Sequence, residues 1–178
     1  MTAPKLVLRF ADVGVATYAS LRAVGRPETT VTWVVEESAL ATVRDLLADA
    51  LPDPRPSEDV RQALERALTA GFFADPAAEH HLAAMLGEQL IPAAGWQLIG
   101  EHHHPTLFVA PTGRLAQVPW SLLARPAAPG DRLIELADVL LAAPPNIANA
   151  SRASMNWGAR RDNAALLILD PRVPGQRP

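Results

Sequence analysis

Residues 5–10 alternate apolar and polar side chains, the period-two pattern of a half-buried strand. A second strand is expected over residues 31–36, which are rich in β-branched and aromatic types. Arg26 and Pro27 ahead of it mark a turn, and the two strands are expected to pair as a ribbon. Residues 11–25 are ambiguous. The period then changes to that of helices. Ser38 is the expected cap of a helix carrying Leu40, Val43, Leu46, Leu47 and Leu51, which Pro52 stops. After a stiff connector with prolines at 52, 54 and 56, Ser57 is the expected cap of the clearest helix. Glu58 and Asp59 suit its positive end, and Val60, Ala63, Leu64, Ala67 and Leu68 form one apolar face. Gly71 is read as its left-handed terminator. Asp75 and Pro76 open a third helix with Leu82, Met85, Leu86 and Leu90 on its apolar side and Pro92 just beyond.

Beyond residue 92 the pattern changes again. Residues 107–110 form a short continuous apolar run, as in a buried strand. Pro111, Thr112 and Gly113 turn the chain, and residues 115–123 bring it back through another apolar stretch. Residues 139–142 are a further candidate strand, followed by Pro144, Pro145 and an expected helix over 146–157. Residues 165–169 read as a strand apolar on both faces, the kind buried in parallel sheets. Such a strand needs neighbours and covering helices, so the chain is expected to be the start of a longer protein.

Composition narrows the chemistry. Of the 178 residues 49% are hydrophobic and 20% charged, which suits a globular chain and not a disordered one. A formal charge of −3 gives no electrostatic ground for nucleic acid or an anionic membrane as partner. No apolar run approaches the roughly 20 residues of a membrane span, and no signal segment opens the chain. A cytoplasmic location is expected. Lys5 is the sole lysine, and the wealth of Ala, Leu and Pro is the bias of a GC-rich bacterial coding sequence.

The absence of cysteine removes disulfides, thiolate-bound zinc and a cysteine nucleophile together. His102, His103 and His104 are consecutive, so in an extended segment they point to opposite faces. His80 and His81 lie about 100° apart on a helix, not at the spacing that shares an ion. No metal is expected. The serines at 20, 38, 57, 121, 151 and 154 lie in no nucleophile elbow, and Ser121 fits the start of a helical turn. A Ser-His-Asp triad assembled from distant segments stays an alternative. Residues 110–114 hold one glycine and lack the spacing of a nucleotide loop, so no cofactor is expected.

One string stands out. A helix ending Leu90, Ile91, Pro92 is followed by a strand that leads into Pro111, Gly113, Leu115, Val118, Pro119 and Trp120. This spacing resembles the opening of a CHAT domain, a family related to caspases and separase. Residues 139–150, with Pro144, Pro145 and Asn146 in place of the usual Pro-Ser, are similar to its next element. Residues 165–169 with Asp170 and Pro171 resemble the first strand of its caspase-like core. The resemblance covers roughly residues 80–172. It implies an α/β fold: an incomplete caspase-like sheet with flanking helices, preceded by a small β-ribbon and helical segment. It divides the chain into an N-terminal strand pair with helices (1–75), the inactive caspase-like half (76–160) and the first strand of the catalytic half (161–178).

In that family a histidine takes the proton of a cysteine thiol, and both lie downstream of the first core strand. The resemblance therefore implies a scaffold without catalytic residues, partnered by the remainder of the caspase-like domain and by a protein substrate or regulator. Asp170 and Arg172, just past a parallel strand, are candidates for the edge of the substrate cleft. A stand-alone interaction module is the competing reading, and an independent serine hydrolase the third.

Overall fold

A computed structural model describes residues 3–126 and 131–142. The expected strand at 165–169, the helix at 146–157, and Asp170 and Arg172 lie outside the described residues.

The ambiguous stretch after the first strand turns out to be the middle of a three-stranded meander. Strand β1 (Lys5–Val13) turns at Gly14, whose φ of +63° opens a two-residue loop, into β2 (Ala16–Ala23). The next turn is Val24 and Gly25, with Gly25 at φ +83°, and β3 begins at Arg26 (Arg26–Val35). Arg26 is thus a strand residue paired with Ala23, and the turn lies two residues earlier than the proline suggested.

Helices α1 (Glu37–Ala50), α2 (Val60–Thr69), α3 (Pro76–Leu90) and α4 (Ala93–Gly100) follow. The chain then returns as β4 (Thr106–Ala110), passes through α5 (Leu133–Leu136) and ends the sheet with β5 (Asp138–Leu141). Strand order is β3-β2-β1-β4-β5. The β1–β2 and β2–β3 pairs are antiparallel, whereas β1–β4 and β4–β5 are parallel. The protein is therefore mixed α/β, but the two strands expected to pair as a ribbon, β1 and β3, are not neighbours: β2 lies between them and pairs with both, and all three belong to the sheet.

One face of the sheet carries the core. Leu6, Leu8 and Phe10 of β1 stand opposite Ala23, Leu21 and Ala19 of β2, and all are buried. On the other side Leu6 and Leu8 meet Leu107 and Val109, both fully buried. Leu40, Val43 and Leu47 of α1, Leu82, Leu86 and Leu90 of α3, and Trp96 and Ile99 of α4 belong to the same cluster.

The ends of the helices depart from the simplest reading. Ser38 lies inside α1; the cap position is Glu36, which makes no side-chain bond. Ser57 does not cap α2. Asp59 does, accepting from the Gln62 amide at 2.8 Å while Gln62 Oε1 accepts from the Asp59 amide at 2.9 Å, a capping box. Gly71 is not left-handed, having φ −81°. Its need for glycine is steric, because a Cβ there would sit 2.7 Å from the Ala67 carbonyl oxygen. Asp75 does cap α3, accepting from Ala77 and Ala78 amides, with Pro76 in the first turn. The α2 apolar face is split: Ala63 and Ala67 are buried, but Val60, Leu64 and Leu68 face outward.

The proline-rich connector before α2 is held by Arg66. Its Nε donates to Glu58 Oε1 at 2.9 Å and its Nη2 to the Asp53 carbonyl at 3.0 Å. Hydrogen bonds from Arg66 and from the Arg55 amide hold the Glu58 carboxyl below its ordinary pKa. A carboxylate with a depressed folded pKa stabilises above its unfolded value, and that contribution fades as pH falls through the folded one.

Gly87, in the middle of α3, fits against residue 124. The Ala124 amide donates to the Ala83 carbonyl at 3.0 Å, and a Cβ on Gly87 would collide with the Ala124 carbonyl oxygen, a backbone atom. Gly87→Ala is expected to lower stability by about 1–3 kcal/mol, despite alanine's better helix propensity. A urea midpoint equal to or above the parent's would show that the approach is not tight.

Candidate functional site

The Pro111–Trp120 string begins directly beyond β4, at the carboxyl end of the parallel strands, where sites of parallel sheets form. Two short 3₁₀ turns, Gly113–Leu115 and Trp120–Leu122, fold it back onto the core. Leu115, Val118, Trp120 and Leu123 are all buried there. The Trp120 ring lies 5.1 Å from that of Phe10, tilted by 38°, and Phe10 meets Trp33 edge-on at 6.3 Å. Trp33 Nε1 in turn donates to the Leu90 carbonyl at 3.2 Å, tying β3 to the end of α3. The string is thus the floor of an aromatic cluster that joins β1, β3 and the returning chain.

Gly113 does not act as the sequence suggests. Its φ lies outside the left-handed region and nothing stands within 4 Å of where a Cβ would be, so the turn does not require it. Its neighbour Arg114 reaches Glu37 at the start of α1, with Nη2 at 2.6 and 2.8 Å from the two carboxylate oxygens. That hydrogen bond raises the Arg114 pKa above its already high ordinary value. The pair is exposed, so it orients the turn more than it stabilises the fold.

A groove of about 780 Å³ opens between the end of α3, α4 and the segment preceding α5. Ile91, Pro92, Trp96 and Leu136 supply apolar wall, and Arg125 stands among them. Arg125 Nη2 donates to the Trp96 carbonyl at 3.3 Å, and its Nη1 lies 3.8 Å from Asp131. Glu88 and Glu101 also line the opening. The guanidinium is thus already engaged, and with Glu88, Glu101 and Asp131 around it the trough offers no net positive charge to an anionic ligand. Among the described residues, the side chains lining it include no serine, threonine or histidine. Trp96 and Arg125 escaped the sequence reading; an apolar stretch broken by Gly95 and Gly100 was the signal for α4.

The histidines diverge. His102 Nδ1 lies 2.9 Å from the Leu98 carbonyl oxygen, closing the end of α4, while His104, at φ +45°, lies 3.3 Å from Asp138 at the start of β5. Among the described residues no group of three or more His, Asp or Glu side chains is placed to hold a metal ion. Ser121 opens onto the Trp120–Leu122 turn, and no hydrogen bond among the described residues joins a serine to a histidine. Among them, too, no helix is long and apolar enough to cross a membrane. No family model, curated protein or solved structure matches the chain.

Because Trp120 is 3% exposed and stacked on Phe10, Trp120→Ala is expected to cost about 3–5 kcal/mol. Chemical denaturation followed by the remaining tryptophans measures it; an unchanged midpoint would remove the cluster from its place in the core.

Proposed function

We propose that this chain is the non-catalytic N-terminal portion of a CHAT caspase-like cysteine endopeptidase, scaffolding a catalytic half whose histidine and cysteine lie outside it. The observation that supports this most is the position of the Pro111–Trp120 string. It follows a parallel strand directly, and its apolar members Leu115, Val118 and Trp120 are all turned into the core. In the family it resembles, a histidine removes the thiol proton and the thiolate attacks a peptide carbonyl. A chain without cysteine cannot supply that nucleophile. Its contribution is a sheet and an apolar core against which the active half is built. A cytoplasmic setting agrees with a thiolate enzyme, since reducing compartments keep thiols free.

A stand-alone interaction module is the second reading, and the outward stripe of Val60, Leu64 and Leu68 favours it. Expression of the complete natural reading frame beside the 178-residue chain separates the two. Cleavage of fluorogenic peptides is expected from the complete product only, and is expected to vanish with iodoacetamide. A complete product without thiol-dependent cleavage leaves the interaction module. Turnover by the 178-residue chain itself, surviving repurification and lost in a Ser or His variant, overturns both readings.

A further inference from the structure

Helix α2 presents two kinds of apolar side chain. The small ones, Ala63 and Ala67, are buried, while Val60, Leu64 and Leu68 are 73%, 47% and 62% exposed. Spaced four apart, these three form one continuous stripe along the helix. Phe73, 39% exposed, follows just beyond the end of α2. Single exposed leucines are ordinary, but an aligned set on a ten-residue helix is a patch.

The charges beside the stripe say what fits it. Arg61 and Glu65 lie on the flank facing away from Ala63 and Ala67, and both are exposed. Neither makes an ion pair among the described residues, whereas Arg66 on the other side is held by Glu58. From these observations we infer that α2 is a self-association surface, in which two copies of the chain pair their α2 helices antiparallel about a two-fold axis at Leu64.

The geometry follows from the rise of about 1.5 Å per residue. Leu64 of one copy meets Leu64 of the other, and Val60 meets the partner's Leu68. Arg61 then lies about 4.5 Å from the axis on one side, and the partner's Glu65 about 1.5 Å from it on the same side. The two are within reach of an ion pair that the symmetry makes twice, and the two Glu65 side chains, also about 3 Å apart along the helix direction, lie between the two arginines. An antiparallel two-fold brings the same flank of both helices together. A parallel pair separates them, so neither charge gains a partner across the interface, and Arg61 and Glu65, four apart on one helix, are left to each other. A surface complementary to itself in apolar stripe and in charge fits a second copy better than an unrelated protein. The patch is small beside the roughly 1,200 Å² of a stable interface, so the dimer is weak and concentration-dependent. It does not depend on the peptidase reading, whereas an interaction module that uses this stripe for another protein competes with it.

Sedimentation velocity of the full 178-residue chain over a concentration series tests this. A monomer–dimer equilibrium is expected, and Leu64→Glu is expected to weaken it at least about tenfold by burying a charge on the axis. Arg61→Glu and Glu65→Arg are each expected to weaken it, since each sets like charges face to face. The double reversal is expected to restore the parent equilibrium. All three positions are exposed, and circular dichroism confirms that each variant is folded. A concentration-independent monomer overturns the proposal, as does a Leu64→Glu variant that associates like the parent or a double reversal that does not recover.

Discussion

The structure depends above all on the parallel pairing of β1 with β4. It joins residues 5–9 to residues 106–110, across nearly a hundred intervening residues. Closing so long a loop costs entropy that local contacts do not repay, so the pairing must be rewarded by burial. Leu6 over Leu107 and Leu8 over Val109, all without solvent exposure, provide it. Once β1 is bonded on both edges, the meander and the parallel strands become one sheet. The helices between them are then confined to covering its apolar face.

That constraint explains why the Pro111–Trp120 string is an architectural device. The chain leaves β4 at the sheet's carboxyl end and must return over the core without a long helix. Two 3₁₀ turns and Pro119 accomplish this in ten residues. Trp120 then fills the space under Phe10, and residues 123–124 hydrogen-bond to α3 and to Leu133. Gly87 makes the last approach possible by having no side chain to interpose. The string that carries the resemblance to a CHAT domain is therefore made of residues that shape a core.

Helix α2 shows the limit of periodicity. Its five apolar positions read as one face, yet only the two alanines are buried. An alanine allows close approach to the neighbouring elements, and the larger side chains are then carried round the shoulder of the helix. Asp59 took the capping role in preference to Ser57 because it alone stands three residues ahead of Gln62, so each can bond the other's amide.

Local patterns were legible where side-chain contrast was strong. Strands β1, β3 and β4, the bodies of α1 and α3 and the Asp75–Pro76 start could all be read directly. Strand β2 could not, because Ala16, Ala19, Ser20 and Ala23 are too small and alike to show an alternation, although Ala19, Leu21 and Ala23 are buried. Helix α4 was hidden by its glycines. The groove formed by Trp96 and Arg125 needed coordinates, since the two are 29 positions apart. By itself the sequence determined that the chain has no thiol and, only where apolar and polar positions contrast strongly, which segments are strands and helices, for these follow from residue type and spacing. Only the tertiary structure decided that β1 sits between β2 and β4, that Gly87 is a point of contact, and that half of α2 faces outward. Each of those depends on which surfaces meet, and the free energy of burial is shared between partners far apart in the chain.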